Sequence, residues 1–228
     1  MRAILWDFDG TLAFREGRWG ACLVEILDEH EPGHGIRTDD LRPHLRNGFP
    51  WHTPEIEHVH LDTPDAWWAP VEALLVHAYA RVGFDPDRSR ALAALARARY
   101  VDPTRVWALF EDTRPALERL SRDGWEHFVL SNHVPELPAI VTGLGLDDLL
   151  DGLVNSATTG FEKPHPEAFA AARRAAGDPE ELWMVGDNAV ADVEGAERAG
   201  IPAILARADG AGLADVVERI SRSAPPIR

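Results

Sequence analysis

Short apolar runs that stop at polar turns set the rhythm of the chain. Ala3-Ile4-Leu5-Trp6 leads into Asp7-Phe8-Asp9-Gly10-Thr11, the pattern of a buried strand ending in a turn. The design recurs in Phe128-Val129-Leu130 before Ser131-Asn132, in Leu182-Trp183-Met184-Val185 before Gly186-Asp187-Asn188, and in Ile201 to Leu205. A weaker run, Leu153-Val154, precedes Asn155-Ser156. Between these runs the spacing predicts helices over 115–122, 136–144, 166–176 and 190–199, with Gly124, Gly145, Gly177 and Gly200 placed as C-terminal stops. Strands alternating with helices predict an α/β fold: a three-layer, doubly wound parallel sheet whose ligand sits beyond the carboxyl ends of the strands, where the polar turns fall.

One interval breaks the alternation. Thr11 and Ser131 are 120 positions apart, whereas a strand-helix-strand unit needs about 30 residues. Helical patterns over 19–28, 65–82 and 87–100 fill the gap, so the expected division is an α/β core of 1–15 and 104–228 with a small helical domain, 16–103, inserted after the first strand. Within it, 47–70 gathers Phe49, Trp51, Trp67 and Trp68 with His52, His58 and His60, and its four prolines speak against regular structure. Two readings stay open for these rings: they line a binding site, or they pack the insertion's own core. A zinc site at the three histidines lacks an evident fourth ligand. The Pro-rich tail from Ala224 is expected to fray.

Composition narrows the class. With 228 residues, 45% hydrophobic and 27% charged, the chain belongs with globular proteins. A net charge of −15 argues against nucleic acid or an anionic membrane as main partner, although one pocket can still carry local positive potential for a small phosphorylated metabolite. Cys22 is the only cysteine, so no intrachain disulfide forms. No apolar run suits a signal peptide or a bilayer span, and the expected location is cytoplasmic.

The chemistry gathers at the strand ends. Asp7 and Asp9 are two positions apart, so an extended backbone points both carboxylates to one side, and Asp187 and Asp192 follow another strand. Two like charges about 4 Å apart repel by roughly 4 kcal/mol at an effective dielectric near 20. Converging carboxylates therefore require a cation or protons, and hard oxygen ligands without Cys or clustered His point to magnesium. Lys163, in Glu162-Lys163-Pro164-His165-Pro166, offers an ammonium to offset the carboxylates and draw in a phosphoryl oxygen. Thr11, Ser131, Asn132 and the backbone amides around Gly10 supply neutral donors for a phosphate.

Asp7-Phe8-Asp9-Gly10-Thr11-Leu12, Ser131-Asn132, Lys163-Pro164 and Gly186-Asp187-Asn188 through Asp192, in that order, resemble the four motifs of the haloacid dehalogenase-like hydrolase superfamily. The resemblance runs from Ile4 to about Leu205 apart from the helical insertion, whose position matches the cap of the helical-cap branch that includes phosphoglycolate phosphatase-like and mutase-like enzymes. It implies that Asp7 is the nucleophile that forms an aspartyl-phosphate and that Asp9 protonates the leaving oxygen and then activates water. It also implies magnesium on the Asp7 carboxylate, the Asp9 backbone carbonyl and Asp187, with Asp192 supporting the metal's waters or Lys163 from behind. Thr11, Ser131, Asn132 and Lys163 would hold the phosphoryl group. The founding dehalogenases carry another residue at the position of Asp9 and work without magnesium. The expected activity is thus a magnesium-dependent phosphatase, with phosphomutase, haloacid dehalogenase and non-catalytic binding module as alternatives.

Overall fold

The computed structural model describes residues 1–208 and 211–223, so the tail from Ala224 lies outside the described residues. In chain order the elements are β1 (Arg2–Trp6), β2 (Ala13–Phe14), α1 (Arg18–His30), α2 (Thr38–Leu41), α3 (Pro64–Arg81), α4 (Pro86–Ala93), α5 (Ala96–Val101) and β3 (Ala108–Leu109). Then come α6 (Thr113–Arg122), β4 (Trp125–Ser131), α7 (Leu137–Gly143), β5 (Gly152–Asn155), α8 (Ser156–Thr159), α9 (Pro166–Ala175), β6 (Glu181–Gly186), a π-helix (Ala189–Glu194), α10 (Gly195–Arg198), β7 (Ala203–Leu205) and α11 (Leu213–Ser223). Five strands form one parallel sheet in the order β5-β4-β1-β6-β7, the α/β architecture that the alternating runs predict.

The period-2 alternation of β1 divides the interior. Ile4 and Trp6 enter a cluster with Leu117 and Leu120 of α6, Ile140 of α7 and Val216 and Ile220 of α11. Ala3 and Leu5 face the other way, onto Phe169 and Ala172 of α9 and Ala196 of α10. Both faces of the sheet are thus covered, which is why β1 is apolar at every position from Ala3 to Trp6 rather than alternately polar.

Helices α1 to α5 all lie between β2 and β3, and these two short strands pair antiparallel where the chain leaves the sheet region and returns to it. α3 begins at Thr63, whose side chain accepts from the Ala66 amide at 3.2 Å, with Pro64 in the first turn. Such a cap satisfies one of the open amides of the first turn. Its inward side buries Trp67, Trp68, Val71, Leu75 and Tyr79 in the same cluster as Leu23, Ile26 and Leu27 of α1.

Three local expectations change. The prolines of 47–70 do not exclude regular structure: Pro64 opens α3 and Pro70 sits inside it. Proline lacks the amide that would bond one turn back, and the burial of the flanking tryptophans offsets that loss. The single helix expected over 87–100 is broken at Ala94 and Leu95 into α4 and α5. The helix expected over 190–199 starts as a π-helix, whose widened turn is set by tertiary contacts described below.

Candidate active site

Register brings the motifs together. Trp6 of β1 stands level with Val129 of β4 and Val185 of β6, so the residues just beyond these strands emerge side by side. Asp7 anchors its amide on the Val185 carbonyl at 2.8 Å. Its Oδ1 accepts from the Ser131 hydroxyl at 2.8 Å and lies 2.9 Å from Lys163 Nζ. The ammonium also lies 2.5 Å from Asp192 Oδ1, and Lys163 and Asp192 are both buried. Burial alone would lower the Lys163 pKa, but Asp192 and then Asp7 raise it above its ordinary value, so the ammonium stays charged.

Lys163 is the single lysine of the chain; every other Lys or Arg position is arginine. A compact ammonium fits between two carboxylates at these distances where a planar guanidinium does not. This compositional signal was available in the sequence and points to the same residue as the motif. Asn132 fixes the lysine's backbone: its Oδ1 accepts from the Lys163 amide at 2.7 Å and its Nδ2 donates to the Lys163 carbonyl at 2.9 Å. The Asn132 amide is therefore turned to the main chain of the lysine loop.

The other carboxylates are held by close backbone approach. A Cβ on Gly186 would stand 2.1 Å from Asp192 Oδ2, and one on Gly10, whose φ is +96°, 2.4 Å from Asp187 Oδ2. Only glycine leaves room at either place. Asp192 Oδ2 accepts from the Asn188 amide at 3.0 Å, while Asn188 Oδ1 caps the π-helix by accepting from the Val190 and Ala191 amides. The π-turn thereby folds Asp192 back under Lys163.

Asp9 differs from Asp7. Its Oδ1 is buried without a hydrogen-bond partner among the described residues, and its Oδ2 lies 3.6 Å from Arg18 Nε. Burial pushes its pKa up to about 7; Arg18 opposes that shift, and Asp7 and Asp187 reinforce it. Asp187 is raised for the same reasons, burial first and Asp7 second. Burial likewise raises Asp192 against the pull of Lys163.

Oxygen ligands from Asp7, Asp187 and Asp192 all lie within 4.8 Å of one another. Such a set of hard carboxylate oxygens, crowded enough to hold protons, fits a magnesium ion. Asp192 belongs to this cluster by position, although its Oδ1 is already engaged by Lys163. Thr11 Oγ1 is 3.4 Å from Asp187 Oδ1 and the residue is fully buried, so its hydroxyl addresses that carboxylate.

A cavity of about 780 Å³ opens over this floor, lined by Asp7, Asp9, Ser131, Asn132, Lys163, Asp187 and Asp192 on one side. Gly10 and Thr11 lie behind Asp187 and are not among its lining residues. Opposite stand Arg18, Arg42, Arg46, Trp51 and His52, none of the arginines picked out by motif. Only the folded chain brings them to the site. Arg18 reaches both Asp9 and Asp187, at 3.6 and 3.8 Å. The aromatic segment thus divides: Trp67 and Trp68 are buried packing, whereas Trp51 and His52 face the cavity. His58 goes elsewhere, its amide donating to the Gly160 carbonyl and its Nδ1 lying 2.8 Å from Glu162 Oε2. Among the described residues the three histidines form no metal cluster.

The fold and this site define a hydrolase of the kind the motifs resemble, and comparison with known proteins agrees. The model of the haloacid dehalogenase-like hydrolase family matches residues 1–200, and the chain belongs to that family. It is 27% identical over 213 residues to haloacid dehalogenase-like hydrolase domain-containing protein 3 of Mus musculus, covering 90% of this chain and 81% of the relative. It is 35% identical over 148 residues to a phosphoserine phosphatase of Thermus thermophilus, covering 63% of this chain and 57% of the relative. Among solved structures, a 2-haloacid dehalogenase of Pseudomonas syringae pv. Tomato superposes with a TM-score of 0.64 at 24% identity, covering 98% of this chain and 100% of that one. Among the described residues no helix is long and apolar enough to cross a membrane.

Proposed function

We propose that the protein is a magnesium-dependent phosphatase acting on a small phosphorylated metabolite in the cytoplasm, with residues 16–103 serving as its cap. The observation that supports this reading best is the contrast between two carboxylates two residues apart. Asp7 is buried and addressed by Ser131 and Lys163, whereas Asp9 is half-buried, lacks a hydrogen-bond partner on Oδ1 among the described residues and is pushed up to about 7. Dehalogenation has no use for the second, proton-bearing carboxyl. Phosphate-ester cleavage needs it.

In this reading an Asp7 oxygen attacks phosphorus while the ester oxygen departs with the proton of Asp9. Asp9 then takes a proton from water as that water attacks the aspartyl-phosphate, the Asp7–phosphorus bond breaks, and inorganic phosphate leaves. Lys163 and Ser131 hold charge and orientation on the transferring group. Asn132 acts as a positioning residue that sets the lysine loop, and Thr11 and Gly10 do the same for Asp187. A magnesium ion bound by Asp7, Asp187 and the Asp9 main-chain carbonyl would neutralise the phosphoryl oxygens. The arginines opposite supply local positive potential that the net charge of −15 hides.

The test is phosphate release from an aryl phosphate in the presence of magnesium. Asp7→Asn should lower turnover by at least about 10⁴-fold, and beryllium fluoride should add at Asp7. Halide release from haloacids without magnesium would replace this reading with dehalogenation, and transfer to a second hydroxyl with a phosphomutase. Inertness on a broad panel of phosphate esters would favour a ligand-binding module.

A further inference from the structure

His133 follows the Ser131-Asn132 pair directly and is 3% exposed, yet neither ring nitrogen makes a well-formed hydrogen bond among the described residues, although the Val134 backbone lies close enough to bear on the ring. The ring sits among Phe8, Trp107 and Tyr100, with centroids 5.6, 5.2 and 6.3 Å away. An imidazole always offers hydrogen-bonding capacity at both nitrogens, and leaving a buried donor or acceptor unmade forfeits the hydration it had in water. Packing against three aromatic rings asks only for an apolar side chain, which would avoid that cost. The orphaned nitrogens belong instead to a residue that lines the cavity containing Asp7.

Surrounded by rings, the imidazole forms no ion pair with a carboxylate among the described residues, and burial pushes its pKa down to about 4 against the pull of Asp7 and the Val134 backbone. A neutral imidazole suits an uncharged hydroxyl or carbonyl better than a phosphoryl group or a carboxylate. We propose that His133 forms a leaving-group subsite, hydrogen-bonding a hydroxyl or carbonyl carried by the alcohol part of the phosphate ester close to its ester oxygen. The inference rests on the phosphatase reading and names the class of ester that the site takes: hydroxylated or oxo-substituted alcohols rather than plain alkyl ones.

A site built around a hydrogen bond to substrate rejects analogues that lack the group, because its own polar atoms are then left unpaired. The experiment compares kcat/KM for glycerol 3-phosphate and dihydroxyacetone phosphate with that for propyl phosphate. It uses the full chain with magnesium, in the wild type, His133→Leu and His133→Gln. The wild type should prefer an oxygenated ester by about 100-fold or more. His133→Leu should bring that ratio below about 3, and His133→Gln should restore part of it. The Leu variant should melt at or above the wild-type temperature, since no satisfied bond is lost. An equal ratio in wild type and Leu variant, or a Leu variant that melts several degrees lower with the ratio intact, would overturn the assignment and leave the phosphatase reading standing. No release from any of the esters would overturn both.

Discussion

On one side of the cavity, Asp7, Ser131, Lys163 and Asp192 hold one another at 2.5 to 2.9 Å and are almost wholly buried. On the other, Arg18, Arg42 and Arg46 are exposed, and Arg42 pairs with an equally exposed Asp39 at 3.2 Å. The floor is a network whose members are fixed by a strand end, by a glycine that admits no Cβ or, for Lys163, by the Asn132 side chain. The wall opposite consists of long side chains at the start of α1 and in the segment that follows α2. A buried charge network tolerates no missing member, whereas exposed arginines are screened and replaceable. Chemistry common to all substrates belongs on the first kind of surface, and discrimination between substrates on the second.

The largest effect expected from breaking this contrast on the floor, after loss of the Asp7 carboxylate itself, is that of Lys163→Met. It leaves Asp7 and Asp192 facing each other without the ammonium, and stability should fall by about 3–5 kcal/mol, read from urea unfolding of the metal-free protein. Next comes pH. Asp9 is raised from 3.8 to about 7 in the folded chain, so between these values the folded state binds a proton that the unfolded state does not. Its contribution is therefore fully present at acid pH and is lost as pH rises from about 4 to 7. The metal-free protein should lose a few kcal/mol more over that window than Asp9→Asn does, as thermal melts at each pH would show.

Gly186→Ala comes third. Its new Cβ meets the Asp192 carboxylate at 2.1 Å, and overpacking of this kind should cost about 1–3 kcal/mol and loosen the Lys163 contact. Steady-state kinetics should then show a fall in kcat alongside the lowered urea midpoint. The smallest effect belongs to the opposite wall. Arg42→Ala with Arg46→Ala should raise KM by about 3- to 10-fold, because exposed charges contribute about 1 kcal/mol or less each, and added salt should erase the difference. A collapse of kcat in that double variant would show that the two sides are not separable in this way.

Much of the floor was legible because its signal is local. Asp7 and Asp9 follow an apolar run, Lys163 precedes a proline-marked helix start, and Asp187 closes another run; burial of the strand and the polarity of its end are written in adjacent residues. The contacts of Asn132 and Thr11 were less so. Either side chain can serve a phosphate or a backbone, and only the placement of Lys163 and Asp187 shows which groups they meet. Asp192 reads from sequence as an acidic residue in a helix's first turn; the π-turn and the missing Cβ of Gly186 make it a partner of the lysine. Arg18, Arg42 and Arg46 carry no local mark that separates them from the chain's other arginines.

By itself the sequence determined the succession of the five sheet strands along the chain and of most helices, the interruption after the first strand, the stop at each strand end and the identity of the acidic and basic groups gathered there, because period and polarity act between near neighbours. The register of β1 against β4 and β6, the return of Asp192 beneath Lys163, the split of the aromatic segment into packing and cavity wall, and the isolation of His133 were decided by tertiary structure. Those features depend on which distant groups share a space from which water is excluded. There, a missing partner or a glycine's absent side chain changes the energy of residues more than a hundred positions away.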